Sequence, residues 1–293
     1  MDKRFPANDA EQPVTDNPWE RLKDFTDARI GLGRSGISVP TKHLLDFQLA
    51  HARAQDAVHT PLGTDALINQ LMACDWCPDG NPIRLHSRAD DRAMYLQRPD
   101  YGRLLDDAST ERLTQHSANQ SADYDLAIVI VDGLSAFAIE ENIVPFLDEL
   151  IPALIAPTTA ATSHANSTHA PWSIAPLCVV EQGRVAIGDP IGEQLNAKCV
   201  LVLIGERPGL SSPDSLGLYL TWAPHAGLTD AYRNCISNIR RAGLNYSEAC
   251  RKTLYLLNEA RLKKLSGVNL KDRTDDSVIE HNTVNKNFLI HNT

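Results

Sequence analysis

Cys199-Val-Leu-Val-Leu-Ile204 runs directly into Gly205-Glu206-Arg207-Pro208-Gly209, and its reading decides the fold. An unbroken run of Val, Leu and Ile without polar alternation suits a strand buried on both faces. The Pro208-Gly209 pair then turns the chain away. Asp125-Leu-Ala-Ile-Val-Ile-Val131 repeats the pattern and ends at Asp132-Gly133. A third run, residues 175–180, leads through Gln182-Gly183 into Arg184-Val185-Ala186-Ile187, and residues 216–222 are a further strand candidate. Helical stretches lie between these runs. Ser135 is placed to cap a helix reaching about residue 155, a short helix is expected near 190–196, and 245–265 is amphipathic. Strands alternating with helices predict an α/β fold with a Rossmann-like, mostly parallel sheet.

Upstream the pattern differs. Residues 18–106 read as a small, mainly helical N-terminal domain. Asn17-Pro18 with Glu20 is a reasonable helix start, and residues 24–30 also look helical. After Val39-Pro40-Thr41, Leu44, Leu45, Gln48, Leu49, Ala52 and Ala57 fit a helical stripe. Further helical pieces are expected at 64–73 and 100–115. The resulting plan is a disordered N-terminus over 1–17, the helical domain over 18–106, the α/β domain over 107–271 and a flexible Asn-rich tail over 272–293. Residues 156–170, rich in Thr, Ala, Ser and His, read as a surface loop.

The chain of 293 residues carries a formal charge of −9, which argues against a general nucleic-acid or membrane-surface binder. No run is long and apolar enough to span a bilayer, and the polar N-terminus is no secretory signal, so the expected compartment is the cytosol or something enclosed within it. Of six cysteines, only Cys74 and Cys77 form a C-x-x-C pair; His86 has no partner at ligand spacing, so no metal site is expected. Cys178 and Cys199 read as buried thiols.

Gly31-Leu-Gly-Arg-Ser-Gly36 matches G-x-G-x-x-G, but dinucleotide binding requires a strand before it and a helix directly after. The preferred reading is an interhelical turn needing positive φ. Gly209-Leu-Ser-Ser-Pro-Asp-Ser-Leu-Gly217 is either a capped turn or a hydroxyl-rich binding loop at the carboxyl end of a buried strand. It is neither a nucleophile elbow nor a P-loop. Glu206 and Arg207 leave the strongest strand at the same edge, either as an ion pair or with Glu206 accepting hydrogen bonds from a large polar ligand. Gly205 would let that ligand approach. Asn234-Cys-Ile-Ser-Asn238 reads as lying outside regular elements, with Cys235 a buried loop cysteine or, less favoured, a residue packed on a ligand. His43, His51 and His59 drift too far around a helix to share a metal. D-x-H-x-x-G, which would supply a lower axial histidine to cobalamin, is absent from the sequence. No catalytic residue set emerges.

Several blocks together resemble the small subunit of ethanolamine ammonia-lyase. They are Phe25-Thr-x-Ala-Arg-Ile-x-Leu-Gly-Arg34, Leu45-Asp-Phe-Gln-Leu-Ala-His-Ala-Arg-Ala-Gln-Asp-Ala-Val-His59, Tyr95-Leu-Gln-Arg-Pro-Asp-Tyr-Gly-Arg103, Ile130-Val-Asp-Gly-Leu-Ser135, Leu203-Ile-Gly-Glu-Arg-Pro-Gly-Leu-Ser-Ser-Pro-Asp-Ser-Leu-Gly217 and Arg233-Asn-Cys-Ile-Ser-Asn-Ile239. They occur in family order over about residues 19–271. The resemblance implies one half of an adenosylcobalamin enzyme converting ethanolamine to acetaldehyde and ammonia through cobalt–carbon homolysis. It implies a TIM-barrel large subunit holding the substrate, a base-on cofactor shared between subunits and an α6β6 complex. Carried over onto this chain, the cobalamin contacts are Val185, Glu206 and Cys235. Some members carry an N-terminal helix that directs them into a bacterial microcompartment; no such helix is evident in this sequence. The rival readings are a purely structural assembly subunit and an independent Rossmann-type NAD enzyme.

Overall fold

A computed structural model describes residues 17–26, 28–78, 81–118, 123–156 and 170–274. Most of the expected disordered N-terminus, of the 156–170 loop and of the C-terminal tail lies outside these residues. The chain divides into two compact units, residues 1–53 and 54–293.

In the first unit a 3-10 helix, Pro18–Asp24, starts at Asn17, whose side chain accepts from the Trp19 N–H at 3.2 Å. It buries none of its residues. The described residues between 25 and 30 are not helical, contrary to the periodicity: the 3-10 helix closes at Phe25. Gly31, Gly33 and Gly36 all take positive φ (60°, 74° and 61°) in a loop where Ser35 and Ser38 exchange backbone hydrogen bonds. Among the described residues no strand precedes this loop, so the dinucleotide motif is a turn. Helix α1, Thr41–His59, begins here and continues into the second unit.

The second unit continues with α2 (Thr64–Met72), β1 (Ile83–His86), α3 (Arg92–Gln97), α4 (Asp107–Ala118), β2 (Tyr124–Val131), α5 (Ala136–Ile155) and β3 (Cys178–Glu181). Then follow α6 (Gly188–Gln194), β4 (Ala197–Gly205), β5 (Leu216–Trp222), β6 (Arg233–Ile239) and α7 (Tyr246–Lys263). The fold is α/β. One sheet has the order β1-β3-β2-β4-β5-β6, parallel from β1 to β4 and antiparallel from β4 to β6. Strand β1 falls inside the stretch read as helical; it is too short and mixed for a hydrophobic run to reveal it. Strand β6 contains Asn234–Asn238, which the sequence placed outside regular elements. Only Arg233, Ile236 and Ile239 are buried, three residues apart with polar residues between them, so no strict two-residue alternation announces the strand.

The sheet separates two cores. Leu126, Ile128, Ile130, Leu201 and Leu203 face α5 and α7, while Ala127, Val129, Val131, Val200 and Val202 face the side carrying α6. This is the two-residue side-chain alternation of a strand, here apolar on both faces. Ser135 caps α5, its hydroxyl accepting from the Ala138 N–H at 3.1 Å and donating to the Pro213 carbonyl at 2.8 Å. Among the described residues, no helix is long and apolar enough to cross a membrane.

Candidate functional site

In parallel α/β sheets, ligands bind beyond the carboxyl ends of the strands, where successive connections leave toward opposite faces. Here β2 leads to α5 on one face and β3 leads to α6 on the other. The crevice between their ends is filled by the protein itself. Asp132, 3 % exposed, accepts from the Gln182 N–H at 2.9 Å and the Gly183 N–H at 3.2 Å, joining the two strand ends. Arg92 of α3 donates to the Gly133 carbonyl at 2.8 Å and to Gln182 Oε1 at 3.2 Å. Burial pushes the Asp132 carboxyl up to about 6, against the pull of those two amides and of Arg92. Tyr95, fully buried, lies under two guanidinium groups: Arg184 at 4.0 Å and Arg92 at 4.7 Å from the ring centroid.

The open site lies one strand further along. Glu206 continues β4, its N–H donating to the Ser215 carbonyl at 2.9 Å. Its carboxylate accepts from Ser215 Oγ at 2.6 Å, from Ser237 Oγ at 2.7 Å and from the Asn238 N–H at 3.2 Å. Glu206 is therefore held by hydroxyls and an amide, not by an ion pair with Arg207. Gly217 makes room for it: a Cβ there would stand 2.9 Å from the Glu206 side chain. Gly205 also has a structural role that its sequence position did not suggest. A Cβ on Gly205 would meet the Ser135 carbonyl oxygen at 2.0 Å and that of Asp132 at 2.5 Å. The glycine thus seats β4 against the turn after β2, and it also lines the cavity beside Glu206.

Val185 starts a 3-10 helix, Val185–Ile187, directly before α6. Together with Glu206, Tyr95, Arg184, Leu134 and Tyr219 it lines a cavity of about 380 Å³. Cys235 is exposed on β6, opposite Tyr219 of β5 in the sheet register. Burial is the main reason the Tyr219 hydroxyl titrates above its ordinary value, with Cys235 and Glu206 raising it further. The three sequence candidates are thus brought onto one face at one end of the sheet. Helices α5 and α7 cover β5 and β6 from the opposite face, leaving Cys235 and Ser237 open to solvent.

A buried ion pair ties this face together. Arg233 Nη1 and Nη2 donate to Asp189 Oδ1 and Oδ2 at 2.6 and 2.7 Å, with both side chains 2 % exposed. Thr221 Oγ1 also accepts from Arg233, at 3.1 Å. Asp189 lies just after Val185 in sequence and Arg233 just before Cys235, so one pair fixes the segments bearing both.

Sequence reasoning missed Ser215, Gly217, Tyr219 and Ser237 as individuals, although three of them fall in blocks it singled out. Tyr95 opens one of the quoted blocks but drew no role of its own, and Arg92 gave no signal, because the position of the short α3 over the crevice is a tertiary fact.

The family model for the ethanolamine ammonia-lyase light chain matches residues 16–271. The chain belongs to this family. Among its relatives, the ethanolamine ammonia-lyase small subunit of Pseudomonas aeruginosa is 51 % identical over 279 residues, covering 95 % of this chain and 94 % of that protein. The small subunits of Pseudomonas putida and Pseudomonas fluorescens are each 50 % identical, over 285 and 281 residues, covering 96 % and 94 % of this chain and 98 % and 95 % of theirs. A light chain of ethanolamine ammonia-lyase implies a lyase complex with a large-subunit partner. All the segments described at the site fall inside the family match.

Proposed function

We propose that this chain is the small subunit of an adenosylcobalamin-dependent ethanolamine ammonia-lyase. In this reading it holds the corrin from one side while a TIM-barrel large subunit carries the substrate on the other, in an α6β6 assembly. The reading rests on family membership. The observation that carries the site is the Glu206 carboxylate, locked by Ser215, Ser237 and Asn238 beside an exposed sheet face bearing Cys235. A carboxylate offers about four lone-pair sites, so one remains for a ligand N–H after those three bonds.

The residues fit a large, flat, amide-fringed ligand. Val185 and Cys235 offer apolar and weakly polar contact without demanding a partner, and Glu206 is an acceptor for side-chain amides. A cavity of about 380 Å³ cannot enclose a corrin with its arms, so the ligand lies across it and a second protein must shield the other side. When bound, adenosylcobalamin supplies the radical chemistry that converts ethanolamine to acetaldehyde and ammonia. This chain's own residues orient and retain the cofactor. None of the family contacts is a catalytic group, so the isolated chain should turn over no ethanolamine. A Rossmann-like arrangement is part of the same proposal and concerns the parallel strands β1 to β4, since β5 and β6 are antiparallel. Encapsulation in a bacterial microcompartment remains a family expectation tested by localisation.

Titrating reconstituted complex with adenosylcobalamin tests the reading. Glu206→Ala should weaken binding about ten- to a hundredfold, from the range for a hydrogen bond to a charged group. Glu206→Gln, which keeps one acceptor, should weaken it less. Turnover at saturating cofactor should change little. Unaltered affinity in Glu206→Ala would remove Glu206 from the site, and a collapse of turnover at full occupancy would overturn the division of labour between subunits.

A further inference from the structure

The cavity has a second polar wall that the family contacts leave unused. Arg184 lines it together with Val185 and Glu206. Arg184 Nη2 donates to the Tyr95 carbonyl at 3.0 Å, and its guanidinium stacks 4.0 Å from the Tyr95 ring centroid. Its backbone N–H is tied to the Gly102 carbonyl at 2.7 Å. Two contacts therefore fix the head group, and a third its backbone, before any ligand arrives. A guanidinium carries five N–H donors; the Tyr95 carbonyl is the acceptor recorded for this one among the described residues, and no carboxylate forms an ion pair with it. Its Nε is buried without a partner, and so is the Tyr95 hydroxyl beneath it. Arg92, the other cation on the same ring, is committed to the Val58 and Gly133 carbonyls and to Gln182. One cavity is thus lined by a fixed donor, Arg184, and a fixed, acceptor-only carboxylate, Glu206, with Arg207 next to Glu206 in the chain.

From this pairing we infer that Arg184 is a further cofactor-binding residue, and that Arg184 and Glu206 together form a subsite for a primary carboxamide. The inference rests on the cobalamin reading above. The amide oxygen accepts from Arg184 and the amide nitrogen donates to Glu206. The chemistry selects the neutral amide over its neighbours. A carboxylate in that position is attracted by Arg184 but repelled by Glu206, and an ammonium reverses both terms. Only a group that donates and accepts at once satisfies both walls, and corrin side chains end in such groups. Arg184 is placed by Tyr95, which touches the ligand nowhere in this scheme and acts as a positioning residue.

Equilibrium binding to the complex with the large subunit, read by the corrin absorption spectrum, tests this. Two ligands serve as probes: adenosylcobalamin and a set of its derivatives in which one side-chain amide is hydrolysed to carboxylate. Arg184→Gln should weaken adenosylcobalamin binding about tenfold or more. With wild-type protein, one monoacid isomer should bind worse than the parent. With Glu206→Gln the same isomer should bind better than the parent, and the gain should vanish in Glu206→Gln/Arg184→Gln. Wild-type affinity in Arg184→Gln, alongside a loss in Glu206→Ala, overturns the subsite but keeps the cobalamin site. Unchanged affinity in both variants overturns the site itself. Should Arg184→Gln fail to assemble, the monoacid series on wild-type and Glu206→Gln complexes still decides: if no isomer switches order between them, the carboxamide subsite is wrong.

Discussion

At the scale of single residues, the carboxylate of Glu206 depends on what is missing beside it. Gly217 has no Cβ, and the carboxylate occupies the room this leaves. Gly217→Ala places a methyl group 2.9 Å from that side chain, closer than carbon atoms settle, so Glu206 must rotate away from Ser215 and Ser237. The expected result is a loss of cofactor affinity of about tenfold, with a thermal midpoint only slightly lowered; a binding titration beside a melting curve separates the two. Asp132 gives a pH signature instead. Burial raises its carboxyl to about 6, above its ordinary value of 3.8. A raised folded-state pKa favours the protonated form, so its contribution is full below about 4 and is lost as pH rises through about 6. Stability should therefore fall across that window by at most about 1.4 kcal/mol per pH unit from this group. Denaturant titrations from pH 4 to 7 on wild type and Asp132→Asn check it: the difference between the two curves should bend inside the window and be flat above it.

At the scale of elements, the site is a meeting of three strand ends and one short helix, and the buried Asp189–Arg233 pair joins the two parts with no ladder between them. Removing Asp189 leaves the buried Arg233 with only the exposed Asp230 carboxylate, 3.3 Å away, and breaking a buried pair costs about 3–5 kcal/mol. Asp189→Ala should therefore destabilise the fold by that amount in a denaturant melt. Replacing both partners by apolar residues of similar volume should recover much of the loss. The same elements explain what could be read from the sequence. Strands β2 and β4 announced themselves because burial on both faces demands uniform apolar residues, and α5 because Ser135 and a long apolar periodicity agree. Glu206 was legible as the first polar residue after the strongest strand. Strand β6 was not, since an antiparallel strand with one solvated face carries polar residues whose partners lie in β5 and on Glu206. The crevice plug was not legible either: Arg92 and Tyr95 meet Asp132 and Arg184 only after residues far apart in sequence have packed.

At the scale of the whole molecule, the distribution of apolar surface points outward. In the first unit Trp19 is 66 % exposed, Phe25 85 % and Leu45 58 %, and the 3-10 helix there buries nothing. A segment with so little core of its own suits a surface that is completed by the large subunit. Phe25→Ser combined with Leu45→Ser should reduce recovery of the large subunit in a pull-down at least about fivefold, the effect of a kilocalorie or more at an interface, with the circular dichroism spectrum unaltered. Retention at the wild-type level would place the contact elsewhere. The open sheet face has one more consequence. Cys178 and Cys199 are sealed in the core and Cys235 stands in solvent, so the protein carries its own footprinting probe. An alkylating reagent reaches Cys235 first and leaves the buried thiols, Cys250 among them, untouched while the fold holds. Whatever comes to rest on that face, cofactor or partner, registers as a slowed labelling rate at one sulfur atom.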